Sequence, residues 1–328
     1  MQWLNFRCWI MRYTCLLGAA LTLSGAAQAQ PFPNKPVRII VPLAPGGATD
    51  LQARVFAKVL GEQFGQSVIV ENRPGASGLI GAEAVARGNP DGYTLLFTTA
   101  ALAINATLSK SNLKFDPVKD LAPVMWVSST PLVLIANPNL AAKTVPELVE
   151  LGRKKAGGLN VALTVSGSTS HLAAEMFKQL AGINVTSVPY KGGAPAMLAL
   201  ISGEVDILFA EAVLALPQIK AGKVRALAVT TPQQSAVFPG LPAINATLPG
   251  LVADNWFAMY APGGTPRETV VAINGAVKKA LETGAVRALF AQDALTPAGS
   301  TPEELGSHLS REIERYADVI RKGNITAQ

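Results

Sequence analysis

The sequence predicts an α/β protein of two lobes, each a mostly parallel sheet flanked by helices, joined by two crossing segments. Three observations lead there. Strand–helix alternation runs through the first hundred residues after the leader and then starts again. A last strand is followed by three helices with no sheet of their own, so their apolar faces need an earlier layer to pack on. At 328 residues the chain is also longer than one hydrophobic core usually organises.

Element by element, Val37–Val41 is a β-branched run, and helical spacing begins near Thr49, with Leu51, Val55, Val59 and Leu60 on one face. Val68–Val70 is a second strand, Asn72–Gly78 a loop, Ile80–Ala86 a helix, and Tyr93–Thr98 a third strand after the turn Asn89–Gly92. The second unit opens with strand Leu132–Ala136 and helix Val145–Lys155, which Thr144 caps with Glu147 three residues on. Val161–Leu163, Thr186–Pro189, Val205–Phe209 and Ala226–Thr230 read as strands. His171–Ala181, Gly193–Ser202 and Val213–Ala221 are the helices between them. Trp256–Ala261 is the late strand, and Pro266–Glu282, Ala285–Ala291 and Pro302–Lys322 form the helical tail. Packing that tail on the first unit makes the first lobe discontinuous, 30–130 with 253–328, and leaves 131–252 as the second lobe. Two hinged α/β lobes are the architecture of periplasmic binding proteins.

Composition excludes several classes. Hydrophobic residues make up 49% of the chain and charged ones 15%, too apolar for a disordered chain. The net charge of +6 is modest and points to no nucleic-acid partner. Residues 1–29 read as a signal peptide: Arg7 and Arg12 precede the apolar run Cys15–Ala27, and Ala27-Gln28-Ala29 offers cleavage after Ala29. The apolar run is shorter than the ~20 residues of a spanning helix. Cleavage removes both cysteines, Cys8 and Cys15, so no disulfide framework or thiolate metal site is expected in the periplasm. With His171 and His308 the only histidines, a histidine-rich metal centre is excluded, and no cofactor is expected.

Two strand–helix loops carry the chemistry. In Pro42–Asp50, Gly46-Gly47 permits close backbone approach, and the following helix start offers unpaired N–H groups to an anion. The same residues also suit an ordinary capped turn. Thr164–His171 stands at the equivalent place in the second unit, with hydroxyls and fresh amides; capping and solvation are its plainer reading. No G-x-S-x-G elbow surrounds the serines, and Ser170 and His171 are helical neighbours pointing apart, so an exported serine hydrolase is the weaker alternative. His171 is expected to orient its loop by hydrogen bonding, and His308 to be a surface residue. Glu211 follows a strand's carboxyl end, where α/β sheets present ligand contacts; an exposed helix-start glutamate is the alternative.

The run Pro36–Asp50, together with Val70–Ala76, Ile80–Ala86 and Pro90–Leu95, resembles the Bug-type solute receptors of tripartite tricarboxylate transporters. So do Val188–Gly192, Leu216–Ala228 and Trp256-Phe257 with Ala261–Pro266, so that the resemblance spans the chain after the leader in order. It implies a two-lobed, type II-like periplasmic binding protein that delivers a small carboxylate to an inner-membrane permease. In that family the two loops hold a ligand carboxylate through main-chain donors and bridging waters. Carried over, the first is Leu43, Ala44, Gly46 and Gly47. The second is Ser166, Gly167, Ser168 and Thr169, with His171 after it. Thr98–Ala101 matches a further ligand-facing loop, with Asn105 behind it. Two departures stand out: Val165 and Gly167 replace a serine and an asparagine, and Phe209-Ala210-Glu211 replaces Phe-Asp-Asn. The ligand is therefore expected to be a mono- or dicarboxylate, bound by a monomer that is not an enzyme; Glu211 favours an amino group, as in an amino acid-like ligand, a hydroxyl group or a protonated site over a second carboxylate nearby. A receptor that signals to a sensor protein instead of a permease is the alternative partner assignment.

Overall fold

The computed structural model describes residues 32–190, 192–235 and 237–326, so the expected signal peptide lies outside the described residues. Contacts divide the chain into Met1–Asn34 and Lys35–Gln328, and the second unit carries all the structure that follows. Its first sheet has the order β11-β4-β10-β3-β1-β2 and its second β7-β6-β8-β5-β9. In the first, β1 (Val37–Val41) is flanked in parallel by β2 (Val68–Asn72) and β3 (Thr94–Thr99). Helices α1 (Ala48–Phe64) and α2 (Leu79–Ala86) make the right-handed crossovers between them. β4 (Leu121–Thr130) and β10 (Asn255–Pro262) pair antiparallel with each other, and two-residue β11 (Thr296–Pro297) closes that edge.

In the second sheet, β6 (Leu159–Leu163) lies in parallel between β7 (Val185–Pro189) and β8 (Ile207–Glu211). β5 (Leu132–Ala136) runs antiparallel between β8 and β9 (Arg225–Val229). Helices α4 (Val145–Lys154), α5 (Thr169–Ala181), α6 (Gly193–Ser202) and α7 (Ala212–Lys220) connect these strands. Both sheets are thus mixed, where mostly parallel ones were expected. The reversed strands are β10, with the short β11, in the first sheet and β5 in the second, and β10 and β5 each follow a passage between the sheets; β4 runs in the same direction as β1–β3, with β10 between.

Those two passages lie side by side. The chain leaves the first sheet at Thr130-Pro131 and returns through 230–254. Thr230, fully buried, ties them: its hydroxyl accepts from Leu132 N–H at 3.1 Å and donates to the Ala253 carbonyl at 3.0 Å.

Three elements have no counterpart in the sequence reading: α3 (Ala101–Leu108), β4 and β11. Helix α3 follows its strand with no side-chain cap, and its first four residues, Ala101–Ile104, are all apolar, which hides its period. β4 contains Pro123 and ends Ser-Ser-Thr, features of an edge strand, and at Pro123 it is one: β11 pairs only with Ser128 and Ser129, so Pro123 has β10 alone as a strand neighbour. The register also shifts there, between Met259 and Tyr260, a place where a missing N–H is tolerated.

The helical tail, α8 (Arg267–Leu281), α9 (Gly284–Gln292) and α10 (Pro302–Gly323), returns to the first sheet. A capping box between Thr301 and Glu304 starts α10, and Leu305, Leu309, Tyr316 and Ile320 bury its stripe against α3 and β4. α1 buries Gln52, Ala53, Phe56, Val59 and Leu60, and Phe56 meets Phe97 with centroids 6.0 Å apart. Leu51, expected on that face, is instead 45% exposed. His308 is no surface residue: it stacks on Trp126 at 4.1 Å and meets the edge of Trp256 at 5.1 Å. Beside it, Glu312 accepts from Trp256 Nε1 and is paired with Arg315, whose guanidinium also reaches the Val252 carbonyl in the return passage. Among the described residues no helix is long and apolar enough to cross a membrane.

Candidate functional site

The loop between β1 and α1 is held from behind by one carboxylate. Gly46 takes φ +84°, and its N–H donates to Asp50 Oδ2 at 2.9 Å, one turn into the helix. Arg54 Nε donates to the same oxygen at 2.9 Å, while Asn72 Nδ2 bridges Asp50 Oδ1 at 3.0 Å and the Leu43 carbonyl at 3.1 Å. Burial pushes the Asp50 pKa up, but the bonds from Arg54, Gly46 and Asn72 outweigh it, so the net shift is downward. Asp50 therefore stays ionised and pins the turn. The N-cap, Gly47, offers no side chain, so the first amides of α1 carry no side-chain cap and lie open to a ligand.

The loop between β6 and α5 uses the same device with a different residue. Gly167 takes φ +71°, and its N–H donates to His171 Nδ1 at 3.1 Å. Ser168 caps the helix, accepting from His171 N–H at 3.3 Å and donating to the Val165 carbonyl at 2.7 Å. Burial holds the His171 pKa below its usual value, with Glu175 opposing, so Nδ1 accepts and the ring proton is assigned to Nε2. Ser170 donates to the Phe209 carbonyl at 2.7 Å. The hydroxyl protons of Ser168 and Ser170 thus go to carbonyls, and no serine–imidazole couple forms between them and His171.

Both loops face one cavity of about 470 Å³ between the sheets. Asn105 on α3 reaches across to it, donating to the Gly167 carbonyl at 3.3 Å and to its own helix at Ala101 O, 2.9 Å. Ser77 donates to the Ser166 carbonyl at 3.2 Å. Glu211, which ends β8, lines the same cavity, and its Oε1 accepts from Asn255 Nδ2 at 2.8 Å. Asn255 Oδ1 in turn accepts from Thr169 at 3.4 Å. Asp293, at the end of α9, is 3% exposed and lines the cavity, and its Oδ2 has no partner. Burial raises the pKa of both carboxyls, and Asp293 raises that of Glu211 further.

Of the residues singled out in the sequence, Leu43, Ala44, Gly46 and Gly47 line this cavity, as does Ala101. Ser166, Gly167, Ser168, Thr169 and Glu211 do so as well. Two do not. Thr98 points away because side chains alternate along β3, and Thr99 takes its place. His171 sits behind Gly167, shaping the loop without lining the cavity. Gly46 and Gly167 line it, but their N–H groups are already committed to Asp50 and His171. The available donors begin one or two residues later, at the helix starts. Sequence reasoning missed Asn255, Asp293 and Leu51. A polar residue opening an apolar strand was a signal for Asn255; a helix-end aspartate gave none for Asp293.

Known proteins match this arrangement along nearly the whole chain. The family described as tripartite tricarboxylate transporter family receptor, TctC, matches residues 52–325. Protein BugT of Bordetella pertussis is 36% identical over 95% of this chain and 97% of its own. Among solved structures, R. palustris Rpa4515 with adipate is 33% identical with a TM-score of 0.81, covering 90% of this chain and 99% of that one. MatC of Rhodopseudomonas palustris with bound malate is 31% identical with a TM-score of 0.76, covering 88% and 100%.

Proposed function

This chain belongs to the tripartite tricarboxylate transporter receptor family, and from that premise we propose that it binds a small organic carboxylate between its two sheets and hands it to a membrane permease. The family places it among periplasmic solute-binding receptors. One observation carries the carboxylate reading. Two helix starts, α1 and α5, meet in one cavity, and no lysine, arginine or histidine is among its described lining residues. An anion there is held by backbone amides and the partial positive charge of the helix ends, which suits a carboxylate oxygen. The adipate and malate carried by two relatives agree with that chemistry.

In this reading the lobes are 30–130 with 253–328, and 131–252, hinged where Thr230 ties the two passages together. An open receptor exposes both helix starts. Closure brings them around one carboxylate and adds the Asn105 and Ser77 bonds, so ligand and inter-lobe contacts reinforce each other. No bond of the ligand is made or broken, and the leader exports the chain to the periplasm.

Isothermal titration of the leaderless protein against a panel of C4–C6 organic acids tests this. Heat with at least one acid at micromolar affinity is expected, and no heat with any carboxylate overturns the reading. Uptake of the bound acid by membrane vesicles carrying the cognate permease, dependent on added receptor, tests the delivery step.

A further inference from the structure

The helix starts account for part of the cavity lining, and two further lining residues are chemically different. Glu211 and Asp293 are the only ionisable side chains among the described residues that line it, and both are acidic. They come from distant elements, β8 of the second sheet and the end of α9 beside the first. Among the described residues neither has a cationic partner: Glu211 receives one neutral bond, from Asn255 Nδ2 at 2.8 Å, and Asp293 Oδ2 receives none although the residue is only 3% exposed. A buried carboxylate oxygen without a donor is costly, and two acidic groups facing one enclosed space repel any further anion. A second carboxylate on the ligand would add further negative charge beside two acidic groups. A positively charged nitrogen removes the cost at both residues.

We propose that the cavity is built for a zwitterion: a carboxylate against the starts of α1 and α5, and a cationic nitrogen between Glu211 and Asp293. This rests on the carboxylate reading above and deepens it by naming what the far end of the ligand carries. The nitrogen supplies N–H donors to Asp293 Oδ2 and to the side of Glu211 that Asn255 leaves open. Leu51, Val213 and Leu214 also line the cavity and give it an apolar wall suited to a short carbon chain. Burial raises the pKa of both acids in the empty cavity, so a cationic ligand is expected to lower both and to be bound with proton release.

The test is calorimetry of the leaderless protein with matched pairs: succinate and 4-aminobutanoate, glutarate and 5-aminopentanoate, adipate and 6-aminohexanoate. Within at least one pair the amino acid is expected to bind tenfold or more tighter than the dicarboxylate. The variants Glu211→Gln and Asp293→Asn, shown by urea unfolding to be folded, are expected to weaken the amino acid at least tenfold and to leave or improve the dicarboxylate. Equal affinity within every pair, a preference for the dicarboxylates, or an amino-acid affinity unmoved by both variants overturns the zwitterion while leaving a carboxylate receptor intact. No binding of any of the six compounds defeats both readings together.

Discussion

Replacing Asp50 tests how the first loop is held. The side chain is 2% exposed and accepts three hydrogen bonds, from Gly46 N–H, Arg54 Nε and Asn72 Nδ2. Arg54 is half exposed, so water can replace its partner and its ion pair adds little to the sum. The other two bonds are to a buried charge, where each contributes about 1.5–3 kcal/mol, and Asp50→Ala leaves their donors stranded. The expected loss is therefore about 3–5 kcal/mol in urea unfolding for Asp50→Ala. Asp50→Asn, which keeps the shape but turns one acceptor into a donor facing other donors, is expected to lose about 2–3 kcal/mol. Freed from Asp50, Gly46 no longer has its φ of +84° enforced, so Leu43–Gly47 must be ordered by the ligand itself at about 1–2 kcal/mol per residue fixed. Affinity for the best acid in calorimetry is expected to fall at least tenfold. An Asp50→Ala protein with parental unfolding midpoint refutes the structural argument. Lowered stability with unchanged affinity refutes the claim that this carboxylate positions the loop for binding.

Three further expectations follow from the same structure. Gly167→Ala puts a Cβ at φ +71° and 2.9 Å from Asn105 Oδ1, so it should lose about 2–3 kcal/mol from left-handed strain and a broken inter-lobe bond. Gly182→Ala, at φ +61° with open space, should lose only about 1–2 kcal/mol, and equal losses in urea unfolding would contradict the assignment. Asp254 lies in the return passage facing Arg315 and Glu312, and burial pushes its pKa up to about 7, with Arg315 opposing and Glu312 adding. The unfolded carboxyl ionises near 3.8, so stability falls as the pH rises from about 4 to about 7. The contribution lost is up to about 4 kcal/mol, and Asp254→Asn should abolish that fall and be the more stable protein at pH 8. An unchanged pH profile of the unfolding midpoint would refute this. His171 titrates below the ordinary 6.5 because burial disfavours its charged form. The unfolded chain thus takes up the proton first, and stability falls as the pH drops below about 6.5. Nitrogen-15 spectra should show an unprotonated Nδ1 at pH 6.5, and a His171 midpoint at or above that value contradicts the role given to Gly167 N–H.

Much of this protein was written in local sequence. The strand–helix alternation, the glycines of the two loops, the Thr144 and Thr301 caps and the amphipathic stripe of the last helix all depend on residues within a few positions of one another. Their propensities and spacing therefore announce them without the fold. The family resemblance likewise rests on short blocks in order. Other features were decided by partners far away in sequence. Pro123 is tolerated in β4 because β11 pairs only with Ser128 and Ser129 and leaves the rest of that side unpaired by a strand, and the two sheets are mixed because the passages between them bring β5 and β10 in reversed. Gly46 and Gly167 lose their amides to Asp50 and His171, a choice between acceptors that residue types alone do not make. His308 is held between two tryptophans 182 and 52 positions upstream, and Asp293 meets Glu211 across 82 residues of chain. Such encounters are set by sheet pairing and by how layers pack, which depend on the whole chain closing at once; the pair of acidic residues lining the cavity is their product.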